Sequence, residues 1–233
     1  MLIDLYSAGD VMRIMTRGIP VMLALAFVSR GAAIEPETTP TAESVLRELR
    51  QGNAHHAAHR YAHPHQTVAR QRTLAKGQQP HAAILSCADS RVPPEIVFDQ
   101  GLGDLFTVRS AGNVAGDIEI GSLEYAVAHL DTPLLVVMGH QGCGAVTAAV
   151  EGGEALGHTS AFITPILPAV SQARQLAGNV VEDAVRLNVE RVVDQLRASR
   201  PVLAEQIARG KLRIVGAVCS LDTGRVNWLP EAR

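Results

Sequence analysis

Aromatic side chains are scarce: Phe, Trp and Tyr together make up 3% of the 233 residues. That leaves no interleaved platforms on which nucleobases could stack. Charge is short on asymmetry too. The 21 Lys and Arg against 23 Asp and Glu give a formal charge of -2, and no long basic run occurs, so nucleic acid is not indicated as a partner. Cysteine appears three times, as Cys87, Cys143 and Cys219, which offers no disulfide framework. The apolar stretch near the N-terminus, Ile19 to Val28, is too short to span a bilayer comfortably. There is no internal repeat and no low-complexity segment. What remains is a chain with 47% hydrophobic residues, long enough to bury one sizeable core.

Two motifs stand out against this background. C-A-D-S-R, residues 87–91, follows the apolar run AAIL at 82–85, and G-H-Q-G-C-G, residues 139–144, follows LLVVM at 134–138. Each run has strand length and gives way to polar and glycine residues. In an open α/β sheet, chemistry gathers at the carboxyl ends of such strands. Thiolate and imidazole are preferred ligands of zinc, and a catalytic zinc keeps one position open for water. Cys87, His140 and Cys143 would supply three ligands, with the H-x-x-C spacing letting one turn of chain present two of them. Asp89 is placed to be a fourth ligand or an acceptor just outside the metal's ligands. Arg91 is close enough to grip Asp89 as a planar charged fork. A zinc so held lowers the pKa of bound water. The plainer alternative for these residues is buried small thiols and a structural histidine.

The blocks C-A-D-S-R-V-P, G-D-L-F-T-V-R-S-A-G-N, E-Y-A-V-A-H-L and G-H-x-x-C-G, in this order over roughly residues 41–229, resemble the β-class carbonic anhydrases. The resemblance implies reversible hydration of carbon dioxide to bicarbonate by zinc-bound hydroxide, with one Zn2+ per subunit on Cys87, His140 and Cys143. Asp89 would accept a hydrogen bond from the hydroxide, and Arg91 would keep Asp89 ionised and in place. Gln78 stands where the plant-like branch has a glutamine lining the active site. Ile84 stands where the other branch carries a tryptophan, so the resemblance points to the open-site branch, in which Asp89 pairs with Arg91 and binds metal only in a closed state. Phe106, Ala111 and Tyr125 would wall a small apolar pocket for carbon dioxide, though each suits a plain core as well. Gly144 would offer a backbone amide to a bicarbonate oxygen, its lack of a side chain either allowing close approach or relieving crowding. The family also implies a homodimer or homotetramer with the site near the subunit boundary. Two other functions use the same features: hydrolysis of carbonyl sulfide or carbon disulfide on this scaffold, and a non-catalytic structural zinc site closed by Asp89.

Apolar runs alternate with helical periodicity, predicting an α/β fold with a short central parallel sheet, an antiparallel edge strand and flanking helices. The pattern predicts a helix capped by Thr39 with Pro40 at its first position and stopped at Gly52 and Asn53. His55, His56, His59, His63 and His65 follow. His55 and His59 would share a helical face suited to metal capture; the simpler expectation is a solvated linker into Pro64. A short basic helix is expected over 67–76. A strand is expected at 105–109, a helix from Ile118 to about Leu130 capped by Asp117, and a helix beginning at 145–150. A loop and turn region is expected over 151–168. Asn179 caps a long helix that Arg200-Pro201 breaks, and S-L-D-T-G joins a terminal hairpin. Cys219 lies in its first strand and is expected to be buried and inert. Residues 39–233 are thus expected to form a single zinc-dependent catalytic domain. Residues 1–38 read as a signal peptide: Arg13 and Arg17, then Ile19 to Val28, then Gly31, Ala32 and Ala33. Arg30 and the acidic start with Asp4 and Asp10 fit less well, and Met12 would begin a more ordinary signal. The alternative is an N-terminal arm that packs on a partner subunit. The signal would place the protein in the periplasm or outside the cell and leave no membrane anchor once processed; without it, the protein is cytoplasmic.

Overall fold

The computed structural model describes residues 40–231. Five strands form one sheet: β1 (Ala82–Cys87), β2 (Leu105–Ser110), β3 (Leu134–His140), β4 (Arg213–Cys219) and β5 (Val226–Trp228). Their order is β2-β1-β3-β4-β5. The first four are parallel, and β5 runs antiparallel to β4. Every residue of β1 and β3 is buried, as expected of parallel strands covered on both faces. Alternate residues serve opposite faces. Ala82 and Ile84 join one apolar cluster with Leu49, Val146, Ile166 and Val185, whereas Ala83 and Leu85 join another with Leu123, Val192, Leu196 and Leu203.

The helices are α1 (Ala42–Ala57), α2 (Val68–Leu74), α3 (Pro94–Val97), α4 (Asp117–His129), α5 (Gly144–Glu151), α6 (Ser160–Ala173), α7 (Val180–Ala198) and α8 (Val202–Ala208). The long helix α7 is capped by Asn179, whose side chain accepts the amides of Val181 and Glu182. It contributes Val185 to one cluster and Val192 to the other, and so lies across both. No helix among the described residues is long and apolar enough to cross a membrane.

Several boundaries differ from the sequence reading. The cap of α1 is Thr41, whose Oγ1 accepts the Ser44 amide at 3.1 Å, and not Thr39. Gly52 and Asn53 do not stop that helix. Asn53 is buried, and its side chain donates to the carbonyls of Val97 and Gly224 at 3.1 and 2.9 Å and accepts the Val226 amide at 2.8 Å. A residue that favours turns through its side chain here spends that side chain on tertiary contacts. The expected loop over 151–168 contains most of α6, with Pro165 and Pro168 inside it. Ile166, Ala169, Val170 and Ala173 bury one helical face, and that burial outweighs the proline penalty. Helix α4 begins at Asp117 with Gly116 as its cap, and Glu119 accepts the Gly116 amide at 3.0 Å.

The histidine patch is solvated in part, with His59, His63 and His65 exposed, but it is more than a linker because several of its rings make specific contacts. His55 Nδ1 meets Asp99 Oδ2 at 3.1 Å, His65 Nδ1 meets Asp104 Oδ2 at 2.7 Å, and His56 Nδ1 meets the Tyr61 hydroxyl at 2.8 Å. Both carboxylates are buried, and the chain around them supplies the hydrogen-bond donors that buried acceptors require. The proposed signal and arm fall on residues outside those described.

Candidate metal centre

Register brings the two motifs together. Cys87 ends β1 opposite Ser110, Ser86 pairs with Met138, and His140 ends β3 opposite Cys219. Both motifs therefore sit at the carboxyl edge of adjacent parallel strands. Ligand atoms of Cys87, His140 and Cys143 all lie within 4.8 Å of one another, and all three residues are buried. The two sulfurs are 3.9 Å apart. Among the described residues this is the group of His, Cys and acidic side chains that converges as a metal site would require.

The donor set fits zinc. His140 points Nδ1 at the Gln141 carbonyl, 3.0 Å away, which places the proton on Nδ1. Its Nε2 is buried with no hydrogen-bond partner, a costly arrangement that a metal would relieve. In the thiol pair, the hydrogen bond from Cys143 holds Cys87 well below the ordinary thiol range against the opposing effect of burial. His140 and the amides of Asp89 and Gly112 act with Cys143. Cys143 is pushed up, first by that same hydrogen bond and then by burial, while the amides of Ala145 and Val146 at the start of α5 pull it down. Burial alone would lower the His140 pKa, but Cys87, the Gln141 carbonyl and Asp89 raise it. One sulfur thus carries negative charge readily, as a metal ligand must.

Asp89 is not among the converging ligands. Arg91 grips it in a fork, Nε to Oδ1 at 2.9 Å and Nη2 to Oδ2 at 2.7 Å, and its amide adds a bond to Oδ1 at 2.9 Å. Arg91 holds the Asp89 carboxyl far below the usual carboxylate range, against the opposing push of burial. Asp89 Oδ2 nevertheless stays 3.7 Å from His140 Nε2, facing the trio. In this geometry Asp89 is bound to Arg91 and stands outside the trio.

Sequence reading missed several residues. Arg109 donates Nε to the Cys87 carbonyl at 3.0 Å and Nη2 to the Asp89 carbonyl at 2.5 Å, clamping the first motif's backbone. Gly112 donates its amide to Cys87 Sγ at 3.3 Å from a left-handed conformation, φ 70°, that suits glycine. Asn188 of α7 accounts for the Gly112 carbonyl at 2.8 Å. Glu182 accepts the Gly142 amide at 3.2 Å. The G-N pair in the second block was a signal for this loop; the contacts of Arg109 and Glu182 depend on register and helix placement.

The remaining expected residues divide. Ala111 adjoins Gly112 and lies beside the trio, and Gly144 opens α5 immediately after Cys143. A Cβ on Gly144 would meet nothing within 4 Å, so crowding does not explain the glycine. Phe106 pairs with Ala83, four residues before Cys87, and its ring meets Tyr125 in a tilted contact with ring centres 6.2 Å apart. Gln78 precedes β1 and so lies at the sheet edge opposite Cys87. One chain does not bring Phe106, Tyr125 or Gln78 to the trio. Cys219 is buried, and its thiol is pushed up to about 11 by that burial.

A family model described as carbonic anhydrase matches residues 82–226, which include both motifs. Among known proteins, carbonic anhydrase 2 of Mycobacterium tuberculosis is 42% identical over 194 residues, covering 82% of this chain and 93% of that protein. The carbonic anhydrase of Mycolicibacterium smegmatis is 38% identical over 196 residues, covering 82% of this chain and 94% of that protein. Among solved structures, a tetrameric β-carbonic anhydrase of the ascomycete Sordaria macrospora superposes with a TM-score of 0.64 at 27% identity, covering 81% of this chain and 98% of that one. The Coccomyxa β-carbonic anhydrase, solved with acetazolamide, gives 0.63 at 34% identity, covering 69% of this chain and 76% of that one.

Proposed function

This chain belongs to the β-carbonic anhydrase family and interconverts carbon dioxide and bicarbonate, and from that premise we propose that Cys87, His140 and Cys143 hold one zinc ion while Asp89 and Arg91 prepare the reaction beside it. The observation that carries this reading is the convergence of three buried donors, with His140 Nε2 unpartnered and Asp89 tied back. When bound, zinc supplies the Lewis acidity that makes hydroxide available near neutral pH.

The chain's own residues do the rest. Asp89 stays ionised against Arg91 and presents an acceptor oxygen toward the trio. There it would accept a hydrogen bond from the nucleophile that a bound zinc would make available, fixing its orientation toward substrate. Arg91 fixes that carboxylate by a bidentate fork, so the acceptor is in place before substrate arrives. The Gly144 amide, at the positive end of α5, receives a bicarbonate oxygen. Ala111 forms part of an apolar wall for a substrate that carries no charge.

Gln78, Phe106 and Tyr125 complete the pocket from a second copy. The tetrameric relatives from Sordaria macrospora and the exposure of Tyr125 support a homodimer or homotetramer. The basic and then apolar stretch of residues 13–28 supports export by a cleaved signal.

Metal analysis of the purified protein should give one zinc per chain, lost on Cys143→Ser. Asp89→Asn should keep the zinc and lose hydration rate by on the order of 100-fold. Undiminished hydration in that variant would remove Asp89 from the reaction.

A further inference from the structure

His140 offers Nε2 to a metal only while Nδ1 keeps its proton, and the acceptor that keeps it there is the Gln141 carbonyl at 3.0 Å. That carbonyl sits in the turn between the two ligands of the second motif, where Gly142 takes φ 59°. A carbonyl in such a turn is only as well aimed as the turn is held. Every other polar group of Gln141 is spent on the β4–β5 hairpin. Its amide donates to the Cys219 carbonyl at 2.9 Å. Its side-chain Nε2 donates to Asp222 Oδ2 at 3.0 Å, and its Oε1 accepts from Ser220 Oγ at 3.2 Å. The hairpin is in turn tied to α1 by Asn53, which donates to the Gly224 carbonyl and accepts the Val226 amide.

We propose that Gln141 is a positioning residue for the metal centre: the hairpin, through Asp222 and Ser220, clasps its side chain so that its carbonyl stays aimed at His140 Nδ1 and the ring presents Nε2. The inference rests on the reading of Cys87, His140 and Cys143 as the zinc ligands. It assigns a role to a hairpin tip some 80 residues away in sequence. Partners that orient a ligating histidine are worth roughly 10- to 100-fold in metal affinity when removed. The Gln141 carbonyl survives any side-chain change, so loosening it belongs at the low end of that range.

The test follows transfer of zinc from the full-length holoenzyme to a chromophoric chelator, together with the visible spectrum of the cobalt(II)-substituted protein. Gln141→Met and Asp222→Ala should each release zinc about 10-fold faster and alter the cobalt bands. The double variant should be no faster than Gln141→Met, because both act through one clasp. Asp222→Asn keeps an acceptor oxygen and should restore wild-type release. Asp222 is exposed at the hairpin tip, so its variants fold even if Gln141→Met does not. Wild-type release and spectra in Gln141→Met and Asp222→Ala would overturn the clasp alone. A wild-type chain that takes up no zinc would overturn the metal reading beneath it.

Discussion

Arg91 is more exposed than the group it controls: its side chain keeps 54% of its surface in water, against 18% for Asp89. Its value lies in geometry rather than in desolvated charge. With the fork in place, both Asp89 oxygens are engaged by Arg91. Arg91→Met removes the fork and frees a carboxylate whose Oδ2 already stands 3.7 Å from His140 Nε2. The freed carboxylate should compete for the metal's open position. A pH–rate profile should then show hydration suppressed at neutral pH and recovered in alkaline solution, where hydroxide displaces it. An unchanged profile would mean that Arg91 does not gate the site. The partnership of Asp89 and Arg91 was legible in C-A-D-S-R, because two residues of separation put a fork beside a carboxylate. Arg109 was not legible. It sits in an ordinary strand sequence, and its grip on the Cys87 and Asp89 carbonyls exists only because β2 lies in register beside β1.

At the scale of elements, periodicity located the sheet well. β1 and β3 read as short continuous apolar runs, and the long helix α7 announced itself by its Asn179 cap and apolar face. Where the reading failed, a tertiary contact overrode a local signal. Pro165 and Pro168 argue against a helix locally, yet α6 forms because its buried face packs beside α5 and α7. Five histidines in a polar stretch read as a linker, yet the segment wraps a buried aspartate. Burial alone would raise the Asp99 pKa, but the amides of Ala62 and His63 and the His55 side chain outweigh it and hold the carboxyl below its ordinary value. A carboxyl depressed in the folded state adds stability above its unfolded pKa, roughly 3.9. That stability is lost as pH falls from there through the depressed folded value. Urea unfolding across that acid window should show the wild type losing stability more steeply than Asp99→Asn. Parallel acid limbs would show that Asp99 contributes no pH-linked stability.

For the whole molecule, one chain brings together the proposed ligands with Asp89, Arg91, Ala111 and Gly144, but not every residue of the expected pocket. Gln78 precedes β1, at the end away from Cys87, while Phe106 lies four residues back along the sheet and meets Tyr125 of α4 in a tilted ring contact. Sequence motifs identify such residues without saying which copy they serve, since contacts between copies leave no periodicity in one chain. Tyr125 and Ile118 expose 48% and 82% of their surfaces on α4, an apolar display suited to a partner. Tyr125→Asp should therefore lower both the mass measured by light scattering and the hydration rate, with zinc content kept. A variant of unchanged mass and rate would place Tyr125 outside the assembly and outside the pocket.

The proposed zinc site is open at neutral pH, with Asp89 held off the metal by Arg91. Stopped-flow hydration of carbon dioxide by the zinc-loaded protein, followed from neutral to alkaline pH, tests it most directly. Rapid hydration already at neutral pH is the predicted result. Hydration confined to alkaline pH would mean that Asp89 closes the site, and no hydration at any pH with zinc bound would contradict the assignment of the reaction to these residues.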